Sequence, residues 1–285
     1  MQLLKTAGAL CTILILPFLA CTQAPKEDYT CDCKEILDST KANLFIVHAG
    51  GTFNGYKYTN SLEAINCAYD KGYRLFELDI METFDNKLVA VHDWKQYKEI
   101  TNSNGFIENV LKRRINTPLS EKKFSSRLIY ERFTPMTMDM INKWFEERPD
   151  AILVTDKINS PKKFIGEGGF LFKDRLIMEL FTWEAVEEAL AENISAMPSS
   201  RLVLETENAE EKIDSLNIKY IAIARGHVQE KAEMLKRLKE SGVKTYVFYI
   251  NMNSAENEEE SVWEKDMEYI HGMYVDNLDL VINLQ

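Results

Sequence analysis

Glu77, Asp79 and His92 are the residues whose types and spacing most directly suggest chemistry in this 285-residue chain. Glu77-Leu-Asp79 lies in an apolar run, and side chains two apart share one face of a strand. A second apolar run, Leu88-Val-Ala-Val91, ends in His92-Asp93. The gap between the runs is too short for a parallel crossover, so an antiparallel return through a two-residue loop at Asp85-Asn86 is expected. That register sets Thr83 opposite Leu88, Met81 opposite Ala90 and Asp79 opposite His92, with opposed Cβ atoms about 5 Å apart. An imidazole beside two carboxylates has the makings of a hydrolytic metal site. A second imidazole, His48, ends the run Leu44-Phe-Ile-Val and precedes Ala49-Gly50-Gly51, small residues that let backbone or ligand approach closely.

Positioning these groups requires a regular framework. Apolar runs at 44–48, 74–80, 88–92, 151–156, 175–181, 201–205, 219–224, 245–250 and 272–276 read as strands. Amphipathic or capped stretches at 60–71, 137–147, 183–192, 228–241 and 256–268 read as helices, the first capped by Asn60 or Ser61 and closed at Gly72. Alternation of the two predicts an α/β protein, a TIM-type (β/α)8 barrel. The run at 88–92 is the ninth, forming a β-hairpin after strand 2. The polar segment 95–135 follows the His-Asp strand as an insertion or lid over the mouth.

The order strand-His, capped helix, Glu-x-Asp, turn, His-Asp resembles the glycerophosphodiester phosphodiesterase family, within the phosphatidylinositol-phospholipase-C-like superfamily. The counterparts here are His48-Ala49-Gly50, Thr59-Asn60-Ser61, Glu77-Leu78-Asp79 and His92-Asp93, and Gly272-Met-Tyr-Val-Asp276 is similar to the closing strand. Ala49 stands where the family has arginine, and Thr59 where it has glutamate. A Glu-x-Lys element is degenerate as Asp156-Lys157, with the lysine displaced by one position. The resemblance implies a phosphodiesterase in which His48 and His92 are catalytic. Glu77, Asp79 and Asp156 would hold one divalent cation, Ca2+ or Mg2+ in view of their hard oxygens. Lys157 and Arg225 are candidate phosphate ligands. It also implies attack by the neighbouring glycerol hydroxyl through a cyclic phosphate. The metal-independent phosphatidylinositol-type phospholipase C lyase is the same-fold alternative, and the Glu77/Asp79 pair argues against it. A barrel that binds with little catalysis is the third, kept open by Ala49 and the displaced Lys157.

A net charge of −11 with no basic stripe excludes nucleic acid as partner. It also disfavours a phosphodiester unless a cation inverts the local field. Residues 1–20 carry one charge, Lys5, and an apolar run from Ala7 to Ala20 that is too short to span a membrane. With Leu19-Ala20-Cys21 they read as a lipoprotein signal peptide of an exported bacterial protein, lipid-anchored at Cys21 to a membrane of the cell envelope. Residues 21–40 are then a tether and 41–285 the phosphodiesterase barrel domain. Cys31 and Cys33 are expected as a local disulfide or as surface thiols, and Cys67 as a core residue of the first helix. On this reading Cys21→Ser blocks lipid attachment and releases the protein from membranes. Mass spectrometry of the native N-terminus checks it, and an unmodified terminus at another residue would contradict it.

Overall fold

A computed structural model describes residues 31, 35–101, 117–248 and 258–284. Eight parallel strands form its centre: β1 (Phe45–Val47), β2 (Leu75–Glu77), β5 (Ile152–Thr155), β6 (Leu176–Leu180), β7 (Ser195–Pro198), β8 (Tyr220–Ala224), β9 (Lys244–Phe248) and β10 (Gly272–Val275). They are hydrogen-bonded in the order β7-β6-β5-β2-β1-β10-β9-β8, and β7 lies against β8, so the sheet curls into the expected barrel. A separate antiparallel pair, β3 (Ile80–Glu82) and β4 (Leu88–Ala90), is the hairpin after strand 2. Among the described residues no helix is long and apolar enough to cross a membrane.

Strand alternation inside a closed barrel fixes which residues can reach the mouth. One apolar layer fills the interior: Ile46, Leu75, Val154, Ile177, Met197, Ala222, Tyr246 and Tyr274, one from each strand. Two residues further along each strand, the same face must point inward again. Those positions are His48, Glu77, Asp156, Glu179, Ser199, Ala224, Phe248 and Asp276, and all eight line a single cavity of about 860 Å³. The apolar layer is its floor, and the site stands at the carboxyl ends of the strands, as in other barrels of this type.

Three expectations about elements are corrected. The run 201–205 is not a strand but the helix Ser200–Glu205, whose first turn is capped by Ser199, and Ser195–Pro198 supplies β7 instead. The run 74–80 is split: after Glu77 the chain leaves the barrel, because the backbone N–H of Asp79 is taken by the Asn60 side chain at 3.0 Å. The hairpin register is off by one, pairing Ile80 with Ala90, Met81 with Val89 and Glu82 with Leu88. Its loop has three residues, Phe84-Asp85-Asn86, since Thr83 N–H already bonds Lys87 O and Asn86 takes the left-handed conformation (φ 57°) that such loops use. Asp79 thus faces Val91, whose N–H donates to its carbonyl at 2.7 Å, rather than His92.

The insertion is less polar in its packing than in its composition. Trp94, Tyr97, Phe124, Ile129 and Phe133 form a small second core with Phe53 of the first loop and Val89 and Val91 of the hairpin. Tyr97 stacks on Phe124 with centroids 4.7 Å apart. Of the described insertion residues only Gln96 lines the cavity. The expected tether is also held down. Leu37 packs in the main core, and Cys31 is bonded not to Cys33, which lies outside the described residues, but to Cys67 of the helix Leu62–Asp70. A crosslink closing a loop of this length contributes about 2–4 kcal/mol. Peptide mapping without reductant should find Cys31 joined to Cys67. The Cys31→Ser/Cys67→Ser double variant should lose roughly 2–4 °C of Tm for each of those kcal/mol. A Cys31–Cys33 peptide would contradict the pairing.

Candidate active site

His48 begins a tight turn after β1 in which Ala49 (φ 47°), Gly50 (φ 85°) and Gly51 (φ 77°) are all left-handed. A Cβ on Gly50 would stand 3.1 Å from that of Ala64, so glycine is what lets the first helix close on this turn. The turn aims Ala49 N–H at Glu77 Oε2, 2.8 Å away. That helix is capped by Ser61, which leaves Asn60 free for the site. The Asn60 amide grips Asp79 twice, its Nδ2 donating to Oδ2 at 2.9 Å and its Oδ1 accepting from the backbone N–H.

Glu77, Asp79 and Asp156 come together as expected. One carboxylate oxygen from each lies within 4.8 Å of the others, and Glu77 and Asp79 are each only 2% exposed. Burial, with the charges of Asp79 and Asp156, pushes the Glu77 carboxyl well above its ordinary range. Asp156 is raised likewise by burial and by Asp79. Lys157 partly offsets this, with Nζ 3.1 Å from Asp79 Oδ1 and 3.2 Å from Asp156 Oδ2. Its one-residue displacement does not keep it from the site, because β5 ends at Thr155 and the long side chain swings back to both carboxylates. Burial would lower the Lys157 pKa, but Asp156 and Asp79 raise it, so it stays charged. Asp156 Oδ1 is buried with no hydrogen-bond partner among the described residues. An acidic, buried, oxygen-only cluster with an orphaned acceptor fits a hard divalent cation.

Both histidines line the cavity. His48 Nδ1 is 3.1 Å from Asp276 Oδ1, and Tyr58 OH donates to Asp276 Oδ2 at 2.8 Å. Burial opposes ionisation of Asp276, but His48, Tyr58 and Lys57 together outweigh it and hold the carboxyl below its ordinary value. His92 Nδ1 stands 3.2 Å from Asp93 Oδ2, on the more open side of the mouth. Asp93 is lowered in the same way, burial being overcome by the backbone N–H of Gln96 and by His92.

Arg225 does not join the site. Its guanidinium meets Ser261 Oγ at 2.8 Å and Asp266 Oδ2 at 3.5 Å, and it does not line the cavity. Trp94 is buried in the insertion core, and Tyr249 and Asn251 lie outside the described residues, as does Cys21. His227 reaches the rim beside Glu230, 3.6 Å away. His271, one residue before β10, packs edge-on to Tyr246 of the floor. The sequence reading missed Asn60, Tyr58 and Asp276 as site residues. Asp276 had a signal: it ends the last strand, which in a closed barrel must neighbour the first, where His48 is.

A model of the glycerophosphoryl diester phosphodiesterase family matches residues 49–280. Among solved structures, a glycerophosphoryl diester phosphodiesterase from Parabacteroides distasonis is similar at 16% identity and TM-score 0.63, over 90% of this chain and 88% of that one. A phosphodiesterase from Oleispira antarctica, in complex with the product sn-glycerol-3-phosphate, is similar at 17% identity and TM-score 0.63, over 85% of this chain and 96% of that one. A glycerophosphodiester phosphodiesterase from Thermotoga maritima is similar at 18% identity and TM-score 0.56, over 85% and 97%. At such identities these structures speak for the fold. No curated protein matches the sequence. The family match begins one residue after His48 and runs through seven of the eight barrel strands, so the chain belongs to the glycerophosphoryl diester phosphodiesterase family and is a phosphoric diester hydrolase.

Proposed function

We propose that the chain hydrolyses glycerophosphodiesters or related phospholipid head groups with two histidines, His48 and His92, and one divalent cation held by Glu77, Asp79 and Asp156. The observation that carries the reading is that each imidazole has its own aspartate. Asp276 and Asp93 are held ionised and accept only, so Nδ1 of each histidine donates and Nε2 is left to take or give a proton. One histidine takes the proton of the attacking hydroxyl as its oxygen bonds to phosphorus. The bond from phosphorus to the departing alcohol breaks, and the other histidine protonates that oxygen. When the glycerol hydroxyl attacks, the product is a cyclic phosphate, which water opens with the roles reversed. A bound cation, Ca2+ or Mg2+, would neutralise phosphate charge as it grows. Lys157 keeps Asp79 and Asp156 in place and adds a positive charge beside the phosphate.

The substrate class is supported by the family and by the product bound to the Oleispira antarctica relative. A metal-independent lyase would need an arginine at the phosphate. Among the described cavity-lining residues Arg201 is the one arginine, and both Oε atoms of Glu205 hold it at 3.0 Å. We also infer that the protein is exported and lipid-anchored through Cys21. The Cys31–Cys67 bond agrees with an oxidising compartment.

His48→Ala and His92→Ala should each reduce kcat by about 10²–10⁴-fold with the fold intact by circular dichroism. A folded variant within about threefold of wild type would remove that histidine from the mechanism. Chelation should abolish turnover reversibly. Cation at a hundred times its Kd should stabilise the protein by about 2.7 kcal/mol, and Glu77→Gln should shrink that gain along with the rate. Full activity after exhaustive chelation would overturn the metal reading.

A further inference from the structure

Glu179 lines the cavity and takes no part in the reaction proposed above. It stands on β6 beside Asp156: Thr155 pairs with Met178, so the residues that follow them are neighbours across the strands, and both side chains face the cavity. Adjacent strands lie about 4.8 Å apart, which brings the two carboxylates together. Glu179 is 8% exposed, yet no hydrogen bond or ion pair reaches its carboxylate from the described residues. Tyr274 is in the same condition. It rises from the floor layer with its ring edge-on to His48, and it too is 8% exposed. Its hydroxyl is buried with no hydrogen-bond partner among the described residues. Burial and the charges of Glu179, Glu77 and Asp156 push its pKa well up, so the phenol stays neutral and stands among those carboxylates. Asp156 completes the set. Lys157 takes its Oδ2 at 3.2 Å, and Oδ1 has no partner among the described residues. An ionised carboxylate has about four lone-pair sites, enough for Lys157, the divalent cation and one neighbour more.

We infer that Asp156, Glu179 and the Tyr274 hydroxyl hold a second cation, a monovalent one such as potassium, beside the divalent ion. Buried oxygens that no donor faces call for a partner, and a cation serves all three at once. Charge decides its valence. Glu77, Asp79, Asp156 and Glu179 with Lys157 leave three negative charges in the cavity, and the divalent cation leaves one. The new site has a single carboxylate of its own, a shared one and a neutral phenol. That set matches one positive charge, whereas a second divalent ion would need more anionic oxygen to offset its dehydration. Neutral oxygens can replace the hydration shell of potassium, as carbonyls do in potassium-selective pores. The consequence falls on the substrate, since the ion removes the last charge that would repel an anionic diester. The charge count takes the divalent ion from the reading above, whereas the donor set stands without it.

Crystals of the full chain soaked in a thallium(I) salt test the site, because thallium(I) stands in for potassium and scatters anomalously. A peak should lie within coordination distance of oxygens from Asp156, Glu179 and Tyr274, apart from any manganese peak, and Glu179→Gln should remove it. By calorimetry, Tyr274→Phe should weaken potassium binding at least about threefold and leave manganese affinity within about twofold. Turnover is then read at constant ionic strength with the divalent ion saturating. Potassium in place of tetramethylammonium should lower KM for a diester at least about fivefold, and Glu179→Gln should abolish the response. No thallium at the three oxygens, as when a proton fills the place instead, overturns the inference, and so does a peak that Glu179→Gln leaves unchanged. Manganese at both positions overturns the choice of valence. A thallium peak without a KM response upholds the site and overturns its part in substrate binding. A thallium peak where manganese finds no place would uphold this site and overturn the divalent reading.

Discussion

Three carboxylates held within 4.8 Å of one another, largely out of water, repel strongly, and much of the surrounding structure answers to that repulsion. Ala49 N–H, the Asn60 amide and Lys157 each take part of the charge, on Glu77, on Asp79 and on the Asp79/Asp156 pair. The relief is incomplete, since Asp156 keeps a buried oxygen without a partner among the described residues and Glu77 stays raised. Even the strained turn at Ala49 has a use in this light, because it is what delivers a backbone donor to Glu77. In a chain of net charge −11, a doubly charged cation would complete the balance and make an anionic diester a tolerable guest.

The barrel turns this local arrangement into a directional site. One apolar layer closes the interior, and a step of two residues on each of eight strands produces the lining of the mouth. Charged residues gather on neighbouring strands, and the opposite arc stays neutral or aromatic. The two histidines differ in setting. His48 is backed by the buried Asp276 and Tyr58, and His92 stands nearer solvent beside Asp93.

The part of this that was legible in the sequence is the part governed by short-range spacing. Glu77-x-Asp79 and the two histidines were readable from their close spacing and order, although β2 stops at Glu77 and the hairpin register is shifted by one. The barrel followed from alternating apolar runs. Asp276 lies 228 positions from His48, so their contact exists only once β10 has closed on β1. Cys31 and Cys67 meet for a similar reason, through the docking of the N-terminal segment on the first helix. The helix Ser200–Glu205 was mistaken for a strand because Leu202 and Leu204 alternate. In the helix Leu202 and Val203 pack on the main core and Leu204 lines the cavity, so the apolar run is long enough to look like a strand. Arg225 follows its strand as expected but was read as a phosphate ligand, because its neighbours Ser261 and Asp266 arrive from far along the chain.

The central claim is that Glu77, Asp79 and Asp156 form a cation site. Crystals soaked in manganese, with diffraction recorded at an energy where manganese scatters anomalously, test it most directly. The account predicts one anomalous peak within coordination distance, about 2–2.6 Å, of an oxygen from each of the three carboxylates, with Lys157 displaced from at least one of them. An empty cluster, with the peak elsewhere or absent under conditions that support turnover, would contradict it.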